Sequence, residues 1–288
     1  MPSTIPKRLL ESCRASPERM AWLEWLPAVL QDLAERWSLA LEEPFDGPEV
    51  SASWVAPARR ADWTPAVLKV GIPHMEAEQE IDGLRFWDGD PTVRLLEADN
   101  DLGAMLLERC EPGTTLRSLP ESEQDVVIAG LLRRVWRVPT RPHPFRPLSD
   151  MVGYWVEETR SNEARWPDPT LVRDGLRLFE DLARDPDVGQ VLLATDLHAG
   201  NVLRARREVW LIIDPKPFVD DPAYDATQHL LNCLPRLRAA PTATIARFAG
   251  LLEVDPERVR LWLIARAAAE HRDDWDDSWM DLARRLRP

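Results

Sequence analysis

The stretch LLATDLHAGNVL, residues 192–203, breaks an apolar run at Asp196 and places an amide five positions later, at Asn201. Taken alone, an acid and an amide at that spacing read as ordinary turn residues. The neighbouring sequence narrows the choice. A second apolar run, VWLII at 209–213, follows and ends in Asp214. The pattern predicts two short buried strands flanking a loop, with a second acid where the later strand stops.

Transfer of the γ-phosphoryl group of ATP needs that kind of set. It needs a base aimed at an acceptor hydroxyl, oxygen ligands for Mg2+ and a cation on the phosphate tail. On this logic Asp196 is the base, and Asn201 and Asp214 are metal ligands. The cation is Lys69, near the end of the strand-like run AVLKVG at 66–71. Only three of the 36 basic residues are lysine, namely Lys7, Lys69 and Lys216. A compact ammonium kept in an apolar segment of an otherwise Arg-using chain needs a specific partner. On the following predicted helix, 76–87, Ala77, Glu80, Leu84 and Trp87 share one face, so Glu80 is a charge within an apolar stripe. Glu80 is the expected partner of Lys69, with Glu76 in reserve.

Outward from these motifs, the chain changes character. Ser16 and Pro17 open a helix over 16–37 whose stripe is Met20, Leu23, Leu26, Leu30, Leu33 and Trp37, with a kink or a second helix expected at Pro27. Turn residues and alternation over 44–58, then AVLKVG, then 92–99 and 103–110, read as antiparallel strands around one helix. After ERCEPG (108–113) come an amphipathic helix at 121–137, a Pro-rich connection, helices near 150–160 and 170–184, the loop already quoted, and helices from about 222. The fold class is therefore α+β, with a β-rich first part (1–109) and a mainly helical second part (110–288).

The chain has 288 residues, with 44% hydrophobic and 30% charged. No apolar run approaches the roughly 18 residues of a membrane span, and the charged N-terminus lacks a leader's apolar core, which points to the cytoplasm. A net charge of −13 argues against a nucleic-acid groove and suits either a surface kept soluble by acids or, beyond that, a cationic small molecule. Cys13, Cys110 and Cys233 are too scattered for a disulfide framework or metal knuckle, so inert thiols are expected. In 270–279, EHRDDWDDSW, the acids Glu270, Asp273, Asp274, Asp276 and Asp277 are interleaved with Trp275 and Trp279 and could line a pocket for a cationic sugar, or form a solvated helix face. Oligomeric state is not legible.

AVLKVG, GAMLLERCEPG, TDLHAGNVL and LIIDPKPFVDDPAYD, in that order, resemble the aminoglycoside phosphotransferase superfamily, in particular the branch of streptomycin 6-phosphotransferase and hydroxyurea phosphotransferase. The resemblance implies a two-lobed protein-kinase-like fold with an N-terminal helical extension, use of ATP and Mg2+, and O-phosphorylation of a small molecule. It matches Asp196 to the catalytic aspartate, Asn201 and Asp214 to the metal ligands and Lys69 to the phosphate lysine. It also matches backbone groups of Glu108, Arg109 and Cys110 to the adenine-binding hinge, Asp225 to a structural aspartate and Lys216 to a feature beside the phosphates.

The chain departs from the family pattern in three places. Ala194-Thr195 replaces the usual His-Gly before the catalytic aspartate, and Asp220 replaces the Gly before Asp221-Pro222. The segment covering the phosphates is poor in glycine and offers Ser51 and Ser53 instead. The expected activity is phosphorylation of an aminoglycoside such as streptomycin, or of hydroxyurea, conferring antibiotic resistance. The alternatives are a metabolic sugar or amino-alcohol kinase and a nucleotide-binding regulatory protein with little turnover.

Overall fold

The hairpin β2 (Ser53–Arg59) and β3 (Pro65–Gly71) pairs Val55 with Lys69 and Ser53 with Gly71. In the computed structural model, which describes residues 4–14, 16–47, 52–185, 189–269 and 277–287, this hairpin lies at the centre of an antiparallel sheet. The strand order is β1-β2-β3-β5-β4, with β1 Ala40–Leu41, β4 Leu95–Asp99 and β5 Ala104–Glu108.

Side chains alternate across a strand, and the sheet uses both faces. Ala66, Leu68 and Val70, with Ala56, Ala58 and Leu106, pack against Leu26, Leu30 and Leu33 of α2 (Pro17–Arg36) and Leu9 of α1 (Lys7–Cys13). Val67, Met105 and Leu107 face the other way, toward Ile81 and Leu84 of α3 (Glu80–Trp87). Lys69 is in phase with Val67, on the α3 side.

Two expectations shift. Pro27 lies inside one continuous α2 rather than opening a second helix, and it is exposed while Trp22, Leu23, Leu26, Val29 and Leu30 are buried along the opposite stripe. Burial of that stripe outweighs one missing helical hydrogen bond. The cap is the predicted one: the Ser16 side chain accepts from the Arg19 N–H. The helix expected over 76–87 is shorter, a 3-10 turn at Met75–Ala77 followed by α3. Glu80 thereby falls in the first helical turn, where a carboxylate is favoured.

The later elements are α4 (Glu121–Val135), α5 (Leu148–Ser161), α6 (Pro169–Leu182), β6 (Val191–Leu193), β7 (Val202–Arg204), β8 (Trp210–Ile212), β9 (Phe218–Asp220), α7 (Pro222–Asn232), α8 (Leu234–Ala239), α9 (Pro241–Leu252), α10 (Pro256–Ala269) and α11 (Asp277–Leu286). The two apolar runs around the quoted loop do not pair with each other. β6 pairs with β9 and β7 with β8.

Two compact units result. The first comprises Met1–Thr114 with Leu203–Ile213, and the second Thr115–Val202 with Asp214–Pro288. The returning segment is tied to the first unit by its backbone. Ile212 exchanges bonds with Pro91 and Val93, and Arg204 with Gly113 and Thr114. The head of the expected strand over 92–99 is used here, since Thr92 bridges Ile212 rather than joining β4. Among the described residues no helix is long and apolar enough to cross a membrane.

Candidate active site

In the first unit the Lys69 ammonium donates to both carboxylate oxygens of Glu80, at 2.6 and 2.7 Å. Their exposures are 6% and 1%. Glu80, not the reserve Glu76, is therefore the helix carboxylate that meets Lys69. A buried ion pair tolerates loss of one partner poorly. Ser53 opens β2, while Ser51 lies outside the described residues.

Glu108 ends β5. Its side chain is held by the Arg207 guanidinium (2.8–3.2 Å) and by the Arg94 N–H (3.1 Å). Burial alone would raise the Glu108 carboxyl, but the Arg207 and Arg94 donors leave it below its ordinary value. Arg207 also donates to the carbonyls of Gly89 and Thr92. The Arg109 side chain pairs with Glu42 at 3.6 Å. The Cys110 thiol is pushed up to about 12 by burial and by the charge of Glu108, and all three cysteines are free and buried. Inert thiols are the outcome.

In the second unit the spacing of Asp196 and Asn201 finds its reason. A 3-10 turn at Ala199–Asn201 folds the amide back, and Asn201 Nδ2 donates to the Asp196 carbonyl at 3.0 Å and to Asp196 Oδ2 at 3.3 Å. His198 is a structural member of the loop. Its Nδ1 accepts from the Gly200 N–H at 3.0 Å, with Arg117 Nη2 at 3.3 Å. With Nδ1 accepting, the neutral ring carries its proton on Nε2. A side chain at Gly200 would come within 2.7 Å of that ring, so only glycine fits.

The Ala194-Thr195 departure is compensated locally. Thr195 takes a left-handed φ of 45°, a conformation that favours the family's glycine. It is held there by two bonds of its own, its N–H donating to Asp225 Oδ1 (2.7 Å) and its hydroxyl to the Lys216 carbonyl (2.7 Å), while the neighbouring Ala194 N–H donates to Asp225 Oδ2 (3.0 Å). Trp136 Nε1 adds a third donor to Asp225, on Oδ2 at 2.9 Å. Burial raises the Asp225 carboxyl to about 6 against these donors.

The same contacts join the loop to the second metal-ligand candidate. Lys216 N donates to the Ala194 carbonyl at 2.9 Å, and Lys216 Nζ donates to Asp214 Oδ1 at 2.5 Å. Asp214 has φ 54°, which an aspartate tolerates better than most residues. The donor set fits Mg2+. Asn201 Nδ2 faces two acceptors, so its oxygen is the atom turned away from them, and Asp214 adds a carboxylate. One or two protein oxygens of this hard type, completed by phosphate and water, are a usual Mg2+ arrangement. Among the described residues no cluster of three or more His, Cys, Asp or Glu suggests another metal.

Asp220 and Asp221 are buried. Asp221 caps α7 through the Ala223 N–H and is held by Arg258 and by Trp262 Nε1. Burial pushes the Asp220 carboxyl up to about 6. Glu270, Asp273, Asp274 and Trp275 lie outside the described residues. Two side chains at the site escaped the sequence reading. Gln228 Nε2 donates to Asp196 Oδ1 at 2.6 Å, and Arg266 Nη2 donates to Gln228 Oε1 at 2.8 Å. The available signals were the spacing of Gln228, one helical turn after Asp225, and a lone Arg within LIARAAA.

Comparison with known proteins follows this geometry. The family model for aminoglycoside/hydroxyurea antibiotic resistance kinases matches residues 36–274. A streptomycin 6-kinase of Streptomyces glaucescens is 41% identical over 77% of this chain and 72% of its own length. Another, of Streptomyces griseus, is 36% identical over 97% and 93%. In fold the chain is similar to the choline kinase LicA from Streptococcus pneumoniae, with a TM-score of 0.64 and 15% identity over 91% of this chain and 97% of that one. The α+β architecture is thus that of the two-lobed, protein-kinase-like small-molecule kinases. With its motifs, fold and relatives in agreement, the chain belongs to the aminoglycoside/hydroxyurea antibiotic resistance kinase family and is a phosphotransferase acting on small molecules.

Proposed function

We propose that this protein transfers the γ-phosphoryl group of ATP to a hydroxyl of a cationic aminoglycoside, with streptomycin as the leading substrate. The observation that carries the proposal is the fixed carboxylate of Asp196, gripped on both oxygens in a loop bonded to the Asp214–Lys216 segment. Asp196 takes the proton of the acceptor hydroxyl as the hydroxyl oxygen attacks the γ-phosphorus and the bond to the β,γ-bridging oxygen breaks, with ADP as the leaving group. Asn201 and Asp214 hold Mg2+, which when bound neutralises charge on the phosphates. Lys69, fixed by Glu80, holds the phosphate tail, and backbone groups of Glu108 to Cys110 receive the adenine. Lys216 lies beside the phosphates. The acidic balance and the two streptomycin 6-kinase relatives favour a cationic acceptor. The anchoring of Thr195 supports turnover over a purely regulatory, nucleotide-binding role.

The test is a panel of aminoglycosides, hydroxyurea, sugars and amino alcohols incubated with the protein, Mg2+ and radiolabelled ATP. Label is expected on streptomycin. Label on a sugar or amino alcohol alone would replace the resistance reading with a metabolic one, and label on hydroxyurea alone would move the substrate within the family. Tight Mg-ATP binding with no transfer would favour the regulatory role.

A further inference from the structure

Asp196 is oriented from outside its own loop, by a relay that begins on α10. Arg266 is 3% exposed, an Arg almost fully withdrawn from water. Its Nη1 donates to Thr227 Oγ1 at 2.6 Å and its Nη2 to Gln228 Oε1 at 2.8 Å, both acceptors lying on α7. The guanidinium also lies 5.1 Å from the centre of the Tyr224 ring and 5.9 Å from that of Trp155. A guanidinium has donors only. The Gln228 amide must therefore turn its oxygen to Arg266, and its nitrogen is left facing Asp196 Oδ1 at 2.6 Å. The opposite amide orientation would set N–H against N–H at one end and oxygen against carboxylate at the other. Asn201 meets Oδ2 from the loop side, so the carboxylate is gripped on both oxygens by donors that cannot exchange roles.

We infer that Gln228 is a positioning residue for phosphoryl transfer, its amide polarised by buried Arg266 so that it holds the Asp196 carboxylate in the orientation that accepts the acceptor's proton. This rests on Asp196 being the base. Misplacement of a base by a fraction of its hydrogen-bond geometry costs rate rather than binding. A residue that merely packed α7 against α10 would affect folding and leave the ratio of kcat to binding alone.

The experiment uses the full chain with Mg-ATP and streptomycin, hydroxyurea replacing streptomycin if the panel selects it. Gln228→Glu keeps the shape and an acceptor for Arg266 but has no donor for Asp196. Gln228→Leu removes both bonds at similar volume. Both variants are expected to lose kcat by about 10- to 100-fold with KM for ATP within about threefold. A kcat within about twofold of wild type in both, while Asp196→Asn is inactive, would overturn the relay and leave the base in place. Turnover by Asp196→Asn would instead remove the base assignment, and the relay with it.

Discussion

The Lys69 site and the Asp196 site are built by different means. Lys69 is paired with the Glu80 carboxylate across the face between β3 and α3. Asp196 sits in a loop whose shape is set by backbone groups: N–H donors on Asp225, carbonyls receiving Thr195 and Asn201, and the cross-link to Lys216. The first arrangement follows from strand and helix periodicity and centres on a buried ion pair. The second is a network in which each member is replaceable at a smaller penalty, apart from the anchor that several donors share. The contrast teaches where substitutions should hurt stability and where they should hurt turnover.

The anchor is the severest test of the network. Asp225→Ala would leave the N–H groups of Ala194 and Thr195 and Trp136 Nε1 without their acceptor in a buried setting. A loss of about 3–6 kcal/mol in urea denaturation is expected, together with loss of activity. Near-wild-type stability would mean the loop is held by something else. The ion pair comes next. Glu80→Ala should destabilise the protein by about 3 kcal/mol, because the ammonium of a nearly buried lysine loses the carboxylate it pairs with. A neutral result would reduce the pair to a surface-like contact and collapse the contrast.

Asp220 sharpens the comparison through pH. Its folded value of about 6 lies above the ordinary 3.8, so ionisation is penalised in the folded state. The penalty is absent well below pH 4, grows as pH rises between those values and is complete above about 6. Asp220→Asn keeps an oxygen for the Asp221 N–H and removes the penalty. It should stabilise the protein by about 1–3 kcal/mol at pH 8 and progressively less as the pH is lowered toward 4. Equal effects at both pH values would show that the carboxyl is not the strained group. The smallest effect is expected at Thr195. Thr195→Val removes the hydroxyl bond to the Lys216 carbonyl and keeps the branched shape, for a loss of about 1 kcal/mol. A far larger loss would mean the loop depends on that hydroxyl as the sheet does on Glu80.

Legibility in the sequence follows the same division. Lys69 and Glu80 could be paired from scarcity of lysine, a period of two on the strand and a charge in an apolar helical stripe. The order of strands and helices was readable for the same reason, since each element buries a periodic face. Asp196, Asn201 and Asp214 were readable as residue types suited to phosphoryl transfer. The holding partners were not. Gln228 and Arg266 lie 32 and 70 positions beyond Asp196, and nothing local ties them to it. The return of 203–213 to the first unit was hidden because it depends on backbone bonds to Pro91, Val93, Gly113 and Thr114, which leave no side-chain signature. The two-helix alternative at Pro27 fails because that residue occupies the exposed face of α2, which propensity alone does not reveal.

The most direct test compares Asp196→Asn with wild type in two assays: equilibrium binding of Mg-ATP and transfer of phosphate from ATP to streptomycin. Binding is expected within a few-fold of wild type, with transfer reduced on the order of 1000-fold or more. Transfer at the wild-type rate by the asparagine variant would contradict the assignment of Asp196 as the base.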